Sequence, residues 1–153
     1  MRRCQLELHD RGAADIDPLT LLELLRLRVD VFVVEQACAY HELDGRDAEA
    51  STRHIWLSDS GRPVAYLRLL DDGPARRIGR VVTAADRRGE GLAAGLVSHA
   101  LATSTGPWVL DAQSHLEGWY RHFGFETCGA AFVEDGIEHM PMMRVVPAAK
   151  MRP

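Results

Sequence analysis

The chain has 153 residues, a length typical of one domain, with 46% hydrophobic and 26% charged residues. That balance excludes a disordered or fibrous protein, and no apolar run approaches the roughly 18 residues that span a bilayer. A net charge of −4 gives no broad basic field for nucleic acid, and three cysteines are too few for a disulfide framework. We therefore expect a single domain over residues 1–153, cytoplasmic, with no nucleic-acid or membrane partner.

The first half of the chain predicts a helix followed by three strands. Asp17-Pro18 is a helix start, with an N-cap candidate before proline at the first helical position. Apolar residues spaced by three and four continue the helix to Val33, and residues 38–51 are a polar loop. Three β-rich runs separated by turn sequences follow, at 54–57, 64–70 and 77–82. They predict an antiparallel meander.

The second half begins with a strand–helix–strand crossover. A helical stripe runs from Leu92 to Leu101, and a strand covers residues 108–112. A short helix spans Leu116 to Phe123 and ends at Gly124, a left-handed cap candidate. A crossover within a mostly antiparallel sheet predicts an α+β fold with one central parallel pair.

The chain ends in a predicted hairpin. Its strands are residues 128–133 and 140–144, and the Asp135-Gly136 dipeptide is a turn signal between them. The exposed edge of such a hairpin would allow a homodimer without requiring one.

The strongest chemical signal is the turn Arg88-Gly89-Glu90-Gly91-Leu92-Ala93, which lies between a strand and an amphipathic helix. Two glycines permit positive φ, so that backbone N–H groups can form a concave nest. The unpaired N–H groups and the dipole of the helix start add to its positive potential, and Arg87 and Arg88 carry full charges beside it. The turn therefore predicts a phosphate-binding site.

Two other phosphate-binding motifs compare less well with this turn. No Gly-Lys-Ser/Thr follows, which excludes a P-loop. Gly89-x-Gly91-x-x-Ala94, with Asp111 about twenty residues further on, fits a variant of the dinucleotide motif. However, residues 83–88 separate the strand from the first glycine, and the preceding strands are antiparallel. A dinucleotide-binding protein is kept as the weaker alternative.

Several segments, in order along the chain, resemble one enzyme family. Arg88-x-x-Gly91-x-Ala93 resembles the Arg/Gln-x-x-Gly-x-Gly/Ala signature of the GCN5-related N-acetyltransferases (GNAT), whose turn cradles the pyrophosphate of acetyl-CoA. Ile78–Val82 and Trp119–Phe125 resemble the central strand and the Tyr-x-x-x-Gly-Phe helix of the same family. With Val31–Gln36 and Glu134–His139 added, the chain is similar to the ElaA-like branch. The resemblance covers nearly the whole chain.

The resemblance implies a GNAT-like mixed, mostly antiparallel sheet with helices on both faces. It also implies direct transfer of an acetyl group from acetyl-CoA to an amine, without an acyl-enzyme. No metal is expected, because His41, Asp44 and Asp47 in the polar loop lack the spacing of metal ligands. The residues that the resemblance places at the cofactor are Val81, Val82, Thr83, Arg87, Arg88, Gly89, Glu90, Gly91, Leu92, Ala93 and Gln113. In this family a bulge separates the two central strands, and the Val82 amide is expected to polarise the thioester carbonyl.

By the same resemblance, Tyr120 is the expected general acid near the thiol. An alkylamine with a pKa of about 10.4 is protonated at neutral pH, so a base or a water relay must deprotonate it. Glu35 is the preferred base, and His115 and water remain alternatives. The acceptor can be a small-molecule amine or an amine of a peptide or protein.

Two further interpretations stay open at this point. A non-catalytic module that binds acyl-CoA would share the glycine turn but would not need Tyr120 or Glu35. Arg28-x-x-Val31-Phe32 also resembles the opening of the acyl-homoserine-lactone synthases, which we interpret as shared architecture.

Overall fold

A computed structural model describes residues 5–145 and shows a single mixed sheet. The strands are β1 Leu6–Arg11, β2 Arg53–Asp59, β3 Arg62–Asp71, β4 Arg76–Thr83, β5 Trp108–Gln113, β6 Glu126–Thr127, β7 Phe132–Glu134 and β8 Ile137–Arg144. Their order in the sheet is β1-β2-β3-β4-β5-β8-β6, with β7 paired to β8. Among these strands β4 and β5 are the one parallel pair, as the sequence predicts. Cys4 and the segment 147–150 lie outside the described residues.

Within the described residues, three α-helices and one π-helix accompany the sheet. They are α1 Pro18–Val29, a π-helix Asp30–Glu35, α2 Leu92–Ala102 and α3 Glu117–Arg121. Asp17 caps α1 as predicted, because its carboxylate accepts a hydrogen bond from the Thr20 amide at 3.2 Å. No helix within residues 5–145 is long and apolar enough to cross a membrane.

Helices cover both faces of the sheet, and the alternation of side chains along β3 shows this directly. Ala65, Leu67 and Leu69 pack in a large core with α2 and α3, whereas Tyr66 packs in a second core with α1. Successive side chains of a strand point to opposite faces, so the two cores lie on opposite sides of one sheet. The predicted architecture is confirmed.

Strand β4 contains a bulge that reverses this alternation. Tyr66 pairs with Val82 and Arg68 pairs with Gly79, so β4 has one residue more than β3 between these pairs. Ile78 belongs to the α2 core and Val82 to the α1 core, although both occupy even positions. The extra residue therefore rotates the end of β4 relative to its beginning.

The two central strands separate soon after they meet. Within the described residues their ladder joins Arg76 to Trp108 and Arg77 to Val109, and neither strand pairs with the other beyond that point. Strand β5 continues its antiparallel pairing with β8 as far as Gln113. The carboxyl ends of β4 and β5 thus open a cleft in the middle of the sheet.

The interior of α1 differs from the predicted apolar stripe. Leu22, which the spacing places in the core, is 62% exposed, whereas Leu24 and Arg28 are buried. The polar residue occupies the inward position because a loop supplies its partners: Arg28 Nε donates to Glu42 at 2.8 Å and Nη1 donates to Asp47 at 2.8 Å. A paired arginine thus takes the place of an apolar residue.

Differences also appear at both ends of the chain. The first predicted element begins at Asp17, yet β1 precedes it as an edge strand antiparallel to β2. The predicted hairpin strand 128–133 is divided, with pairing at Glu126–Thr127 and Phe132–Glu134. The Asp135-Gly136 turn is confirmed, with φ of +51° and +77°, and Gly124 adopts φ +85° after α3.

Candidate active site

A cavity of about 600 Å³ occupies the cleft between the ends of β4 and β5. Its walls are the π-helix, the last residues of β4, the turn 87–94 and the segment 113–120. Of the catalytic and cofactor-binding residues expected from the sequence, Glu90 alone does not line this cavity. Those that line it are Glu35, Val81, Val82, Thr83, Arg87, Arg88, Gly89, Gly91, Leu92, Ala93, Gln113 and Tyr120. Segments far apart in sequence therefore converge on one cleft.

The glycine turn has the backbone conformation that a nest requires. Gly89 has φ +83° and Gly91 has φ +75°, both in the left-handed region. Gly91 is also the N-cap of α2, whose first turn has no side-chain cap. A Cβ built on either glycine meets nothing within 4 Å, so backbone conformation rather than space favours glycine here. The free helix start can accept an anion.

The two arginines of the turn occupy different environments. Arg87 is held by two carboxylates, since Nη1 lies 2.7 Å from Asp59 and Nε lies 2.8 Å from Glu90. The Arg87 side chain is 15% exposed, and its bond lowers the pKa of Glu90. Arg87 therefore links the turn to Asp59 at the end of β2, and the Glu90 carboxylate contacts Arg87. The Arg88 side chain is 46% exposed and crosses the cavity to Glu35 at 2.7 Å.

The direction of the amides at the end of β4 follows from its pairing with β3. The Ala84 amide donates to the Val64 carbonyl at 2.8 Å. Because amides alternate along an antiparallel ladder, the Val82 amide points to β3 as well. By the same alternation, the amides of Val81 and Thr83 face away from β3, on the side of the cleft. This register therefore favours the amide of Val81 over that of Val82 as the group that faces the cleft, while the side chain of Val82 lines the cavity.

Tyr120 lies at the α3 wall of the cavity with its ring packed in the core. The ring meets Trp119 edge-on at 4.8 Å and Phe125 at 6.2 Å between centroids, and the residue is 6% exposed. Within residues 5–145 its hydroxyl has no protein hydrogen-bond partner. Burial raises the pKa of Tyr120, so the phenol stays protonated at neutral pH. It is a proton donor without a competing acceptor.

Besides the expected Glu35, the π-helix and the residue after it bring to the cavity three side chains that the sequence did not single out as site residues. In a π-helix each N–H donates to the carbonyl five residues earlier, as Gln36 N does to Val31 O at 3.0 Å. Residues five apart therefore share a face, and Val31, Phe32, Glu35 and Gln36 all line the cavity. Periodicity cannot distinguish this wider turn from an α-helix in a short segment.

The β5 side of the cavity contributes amides and aromatic groups. Gln113 Nε2 donates to Gln36 Oε1 at 3.2 Å, which connects β5 to the π-helix across the cleft. His115, the alternative base, is exposed and lines the same wall, together with Leu116 and Trp119. Within the described part of the chain, no group of three or more His, Cys, Asp or Glu side chains could hold a metal ion.

Sequence comparison identifies the family. Residues 21–146 match the family described as an acetyltransferase (GNAT) domain, so the chain belongs to the GNAT superfamily, and within it to the ElaA-like branch. It is 40% identical over 151 residues to the protein ElaA of Escherichia coli, covering 92% of this chain and 97% of ElaA. A UPF0039 protein of Mycobacterium tuberculosis is 47% identical over 138 residues, covering 86% of this chain and 88% of that protein.

Solved structures agree with the sequence comparison. An acyl-CoA N-acyltransferase from Pseudomonas aeruginosa superposes with a TM-score of 0.87 at 39% identity, covering 92% of this chain and all of that one. The crystal structure of E. coli ElaA gives a TM-score of 0.85 at 37% identity, with the same coverage. A more distant neighbour, the acyl-homoserine-lactone synthase LasI, shares the fold at 14% identity. The fold is that of the acyl-CoA N-acyltransferases.

Proposed function

We propose that the protein transfers an acetyl group from acetyl-CoA to an amine by direct attack. The observation that carries this proposal is the convergence, in one cavity, of a positive-φ glycine turn at a helix start and the separated end of β4. The first feature suits a diphosphate, and the second offers unpaired backbone amides to the rest of the cofactor. Family membership supports the acyl-CoA donor.

The amide of Val81 is the proposed donor to the thioester carbonyl. Val81 lies in the bulge, directly after Arg80 and before the paired residue Val82. Because amides alternate along the strand, its N–H is directed away from β3, on the side of the cleft. As the amine attacks, negative charge develops on the carbonyl oxygen, and a fixed amide stabilises that charge without reorganisation. Thr83, two residues further along the same edge, offers its peptide groups to the amides of the pantetheine arm.

Proton transfers complete the reaction. The acceptor ammonium must lose a proton before attack, and the carboxylate of Glu35 is the proposed base, with His115 on the opposite wall as the alternative. The amine nitrogen then bonds to the carbonyl carbon, the carbon–sulfur bond breaks, and the thiolate takes the proton of the Tyr120 hydroxyl. The second proton that the nitrogen loses as the amide forms replaces the proton on Tyr120. The burial that raises the pKa of Tyr120 keeps this proton available.

The dinucleotide alternative finds little support in the sheet. Within the described strands only β4 and β5 run parallel, whereas a dinucleotide fold needs a largely parallel sheet. Asp111, which would contact the ribose in that alternative, instead accepts a hydrogen bond from Arg77 at 3.1 Å and does not line the cavity.

The experiment is an acetyl-transfer assay on purified protein. Acetyl-CoA is mixed with a panel of small amines, peptides and a lysine-containing protein, and released thiol and acetylated product are measured together. We expect thiol and product in equal amounts. Binding of CoA without product from any acceptor would favour the non-catalytic module, and a thermal shift with NAD(P) but not with acetyl-CoA would favour a dinucleotide site.

A further inference from the structure

The bulge of β4 places an arginine, rather than a glycine, in a left-handed conformation. Arg80 has φ +53°, whereas its neighbour Gly79, which could adopt such a conformation without strain, has no positive φ. A non-glycine residue held in this region is strained, and the conformation persists when surrounding contacts determine it. For Arg80, the contacts of its side chain hold the backbone in this conformation.

The Arg80 side chain is held by a single loop, residues 40–44. Its Nε lies 3.0 Å from Glu42 Oε2, a close ionic contact outside hydrogen-bond alignment. Its Nη2 donates to the Glu42 carbonyl at 3.2 Å and lies 3.5 Å from Asp44 Oδ2. The guanidinium also lies over the Tyr40 ring, 5.6 Å from the centroid.

The loop that holds Arg80 is itself held in place by a buried ion pair between Glu42 and Arg28 of α1. Glu42 is 3% exposed, and its other carboxylate oxygen accepts from Arg28 Nε at 2.8 Å, while Tyr40 donates to Oε2. Arg28 is completely buried in α1. The Arg80 guanidinium therefore contacts a carboxylate that cannot move away without breaking a buried ion pair, which is strongly unfavourable.

The conformation of Arg80 determines the orientation of the peptide group between Arg80 and Val81. The N–H of Val81 belongs to the peptide that joins residues 80 and 81, so the backbone angles of Arg80 set its direction. We propose that Arg80 is a positioning residue: its contact with Glu42 holds the bulge that aims the Val81 amide into the cleft. This inference rests on the proposed function for its effect on turnover, but its effect on the backbone is independent of any reaction.

Three substitutions separate the parts of this mechanism. Arg80→Ala removes the anchor and keeps the conformational strain, so we expect kcat to fall about 10- to 100-fold. Arg80→Gly removes the anchor and also the strain, and retains more kcat than the alanine variant. Arg80→Lys restores a cation and recovers part of the loss. The Kd for CoA changes by a smaller factor than kcat in all three, because the glycine turn that binds the diphosphate is untouched and only the pantetheine contacts at residues 81–83 are disturbed.

Arg77→Ala is the matched control on the same strand. Arg77 contacts Asp72 and Asp111 at the sheet surface, does not line the cavity, and lies before the bulge. We expect its kcat and its amide spectrum at residues 81–83 to match the wild type. Thermal melting of all the variants shows that each is folded before it is compared.

The decisive readout is the backbone of residues 81–83 in an amide NMR spectrum. We expect large shifts of these amides in Arg80→Ala, smaller ones in Arg80→Lys, and none in the control. If the wild type transfers no acyl group while these amides still shift, the positioning role holds and the proposed function fails. Unshifted amides with a reduced kcat, or a loss of kcat that only follows melting temperature across the variants, would overturn the proposal.

Discussion

The guanidinium of Arg88 lies 2.7 Å from the carboxylate of Glu35, and this contact joins the proposed diphosphate-binding turn to the proposed base. Both side chains are nearly half exposed, so the pair is weak enough to open. A diphosphate at the turn would compete with Glu35 for the same guanidinium. Cofactor binding would then free the carboxylate for the amine, and the acyl donor would bind before the acceptor.

We predict that Glu35→Gln binds CoA about two- to fivefold more tightly than the wild type, because the competing charge is gone. In the same variant kcat falls about 10²- to 10⁴-fold if Glu35 is the base. Isothermal titration and steady-state kinetics measure the two effects. Glu23→Gln, an exposed change on α1, is the control and leaves both unchanged. Weaker CoA binding in Glu35→Gln would refute the competition.

We predict that Tyr120→Phe lowers kcat while the Kd for CoA and the melting temperature stay near their wild-type values. The substitution keeps the ring contacts with Trp119 and Phe125 and removes only the hydroxyl. An acetyl thioester with an acidic thiol needs less help on departure, so the kcat defect should shrink with such a donor. An equal defect with both donors, or a parallel loss of CoA binding, would remove Tyr120 from the acid role.

We predict that Gly91→Ala weakens CoA binding and lowers stability. A left-handed conformation costs an alanine about 1–2 kcal/mol, and relaxation of the turn would move the amides of the nest. Gly95→Ala, one helical turn further along α2, is the matched control. A Cβ at Gly95 is equally free of contacts and its φ is not positive, so alanine there should stabilise the helix by about 0.5–1 kcal/mol. Urea unfolding and CoA titration measure both variants. Unchanged CoA affinity in Gly91→Ala would count against the nest.

The buried side chain of His54 makes stability depend on pH. Its Nε2 faces the carbonyl of Asp47 at 3.0 Å, so that nitrogen carries the proton, and Nδ1 accepts from the Tyr66 hydroxyl at 2.6 Å. Burial lowers the pKa of His54, and the nearby Arg28 and Arg68 oppose a further positive charge. In the unfolded chain the His54 imidazole therefore takes up a proton near pH 6.5, whereas in the folded protein it does so only at a lower pH.

We predict that the free energy of unfolding falls as pH decreases below about 6.5, by at most about 1.4 kcal/mol per pH unit from this residue. The paired carboxylates contribute in a separate window. The hydrogen bond from Arg68 lowers the pKa of Asp44 to about 2, so its contribution is lost only in stronger acid. His54→Gln should flatten the dependence between pH 7 and 5, and the exposed His122→Gln should not. Urea unfolding across this range decides, and an unchanged slope in His54→Gln would contradict the assignment.

The sequence predicts the elements whose signals are local. The crossover, the glycine turn and the Gly124 cap follow from periodicity and turn chemistry, and the structure confirms them. Strand β1 escapes prediction because it lies at an edge, where Leu6 and Leu8 stay more than 40% exposed and no buried face marks the strand.

The features that sequence reasoning missed depend on partners distant in the chain. Arg28 interrupts the apolar stripe of α1, and its carboxylate partners lie 14 and 19 residues away in a segment that looks like a polar loop. The bulge at Arg80 was missed for the same reason, because the residue that holds it, Glu42, is distant in sequence. From the sequence alone, the neighbouring Gly79 would be the expected site of positive φ. Of the candidate site, the turn and Tyr120 could be found from motifs, whereas the direction of the Val81 amide required the register of β3 and β4.

A crystal structure of the protein with CoA tests the central claim most directly. We expect diphosphate oxygens within hydrogen-bond distance, about 2.7–3.2 Å, of the amides at Gly89–Leu92, with Arg88 turned from Glu35 toward them. The pantetheine arm should then follow the edge of β4 and bring the sulfur close to the Tyr120 hydroxyl. A diphosphate bound elsewhere, with the Gly89–Leu92 amides satisfied by protein groups, would contradict the account.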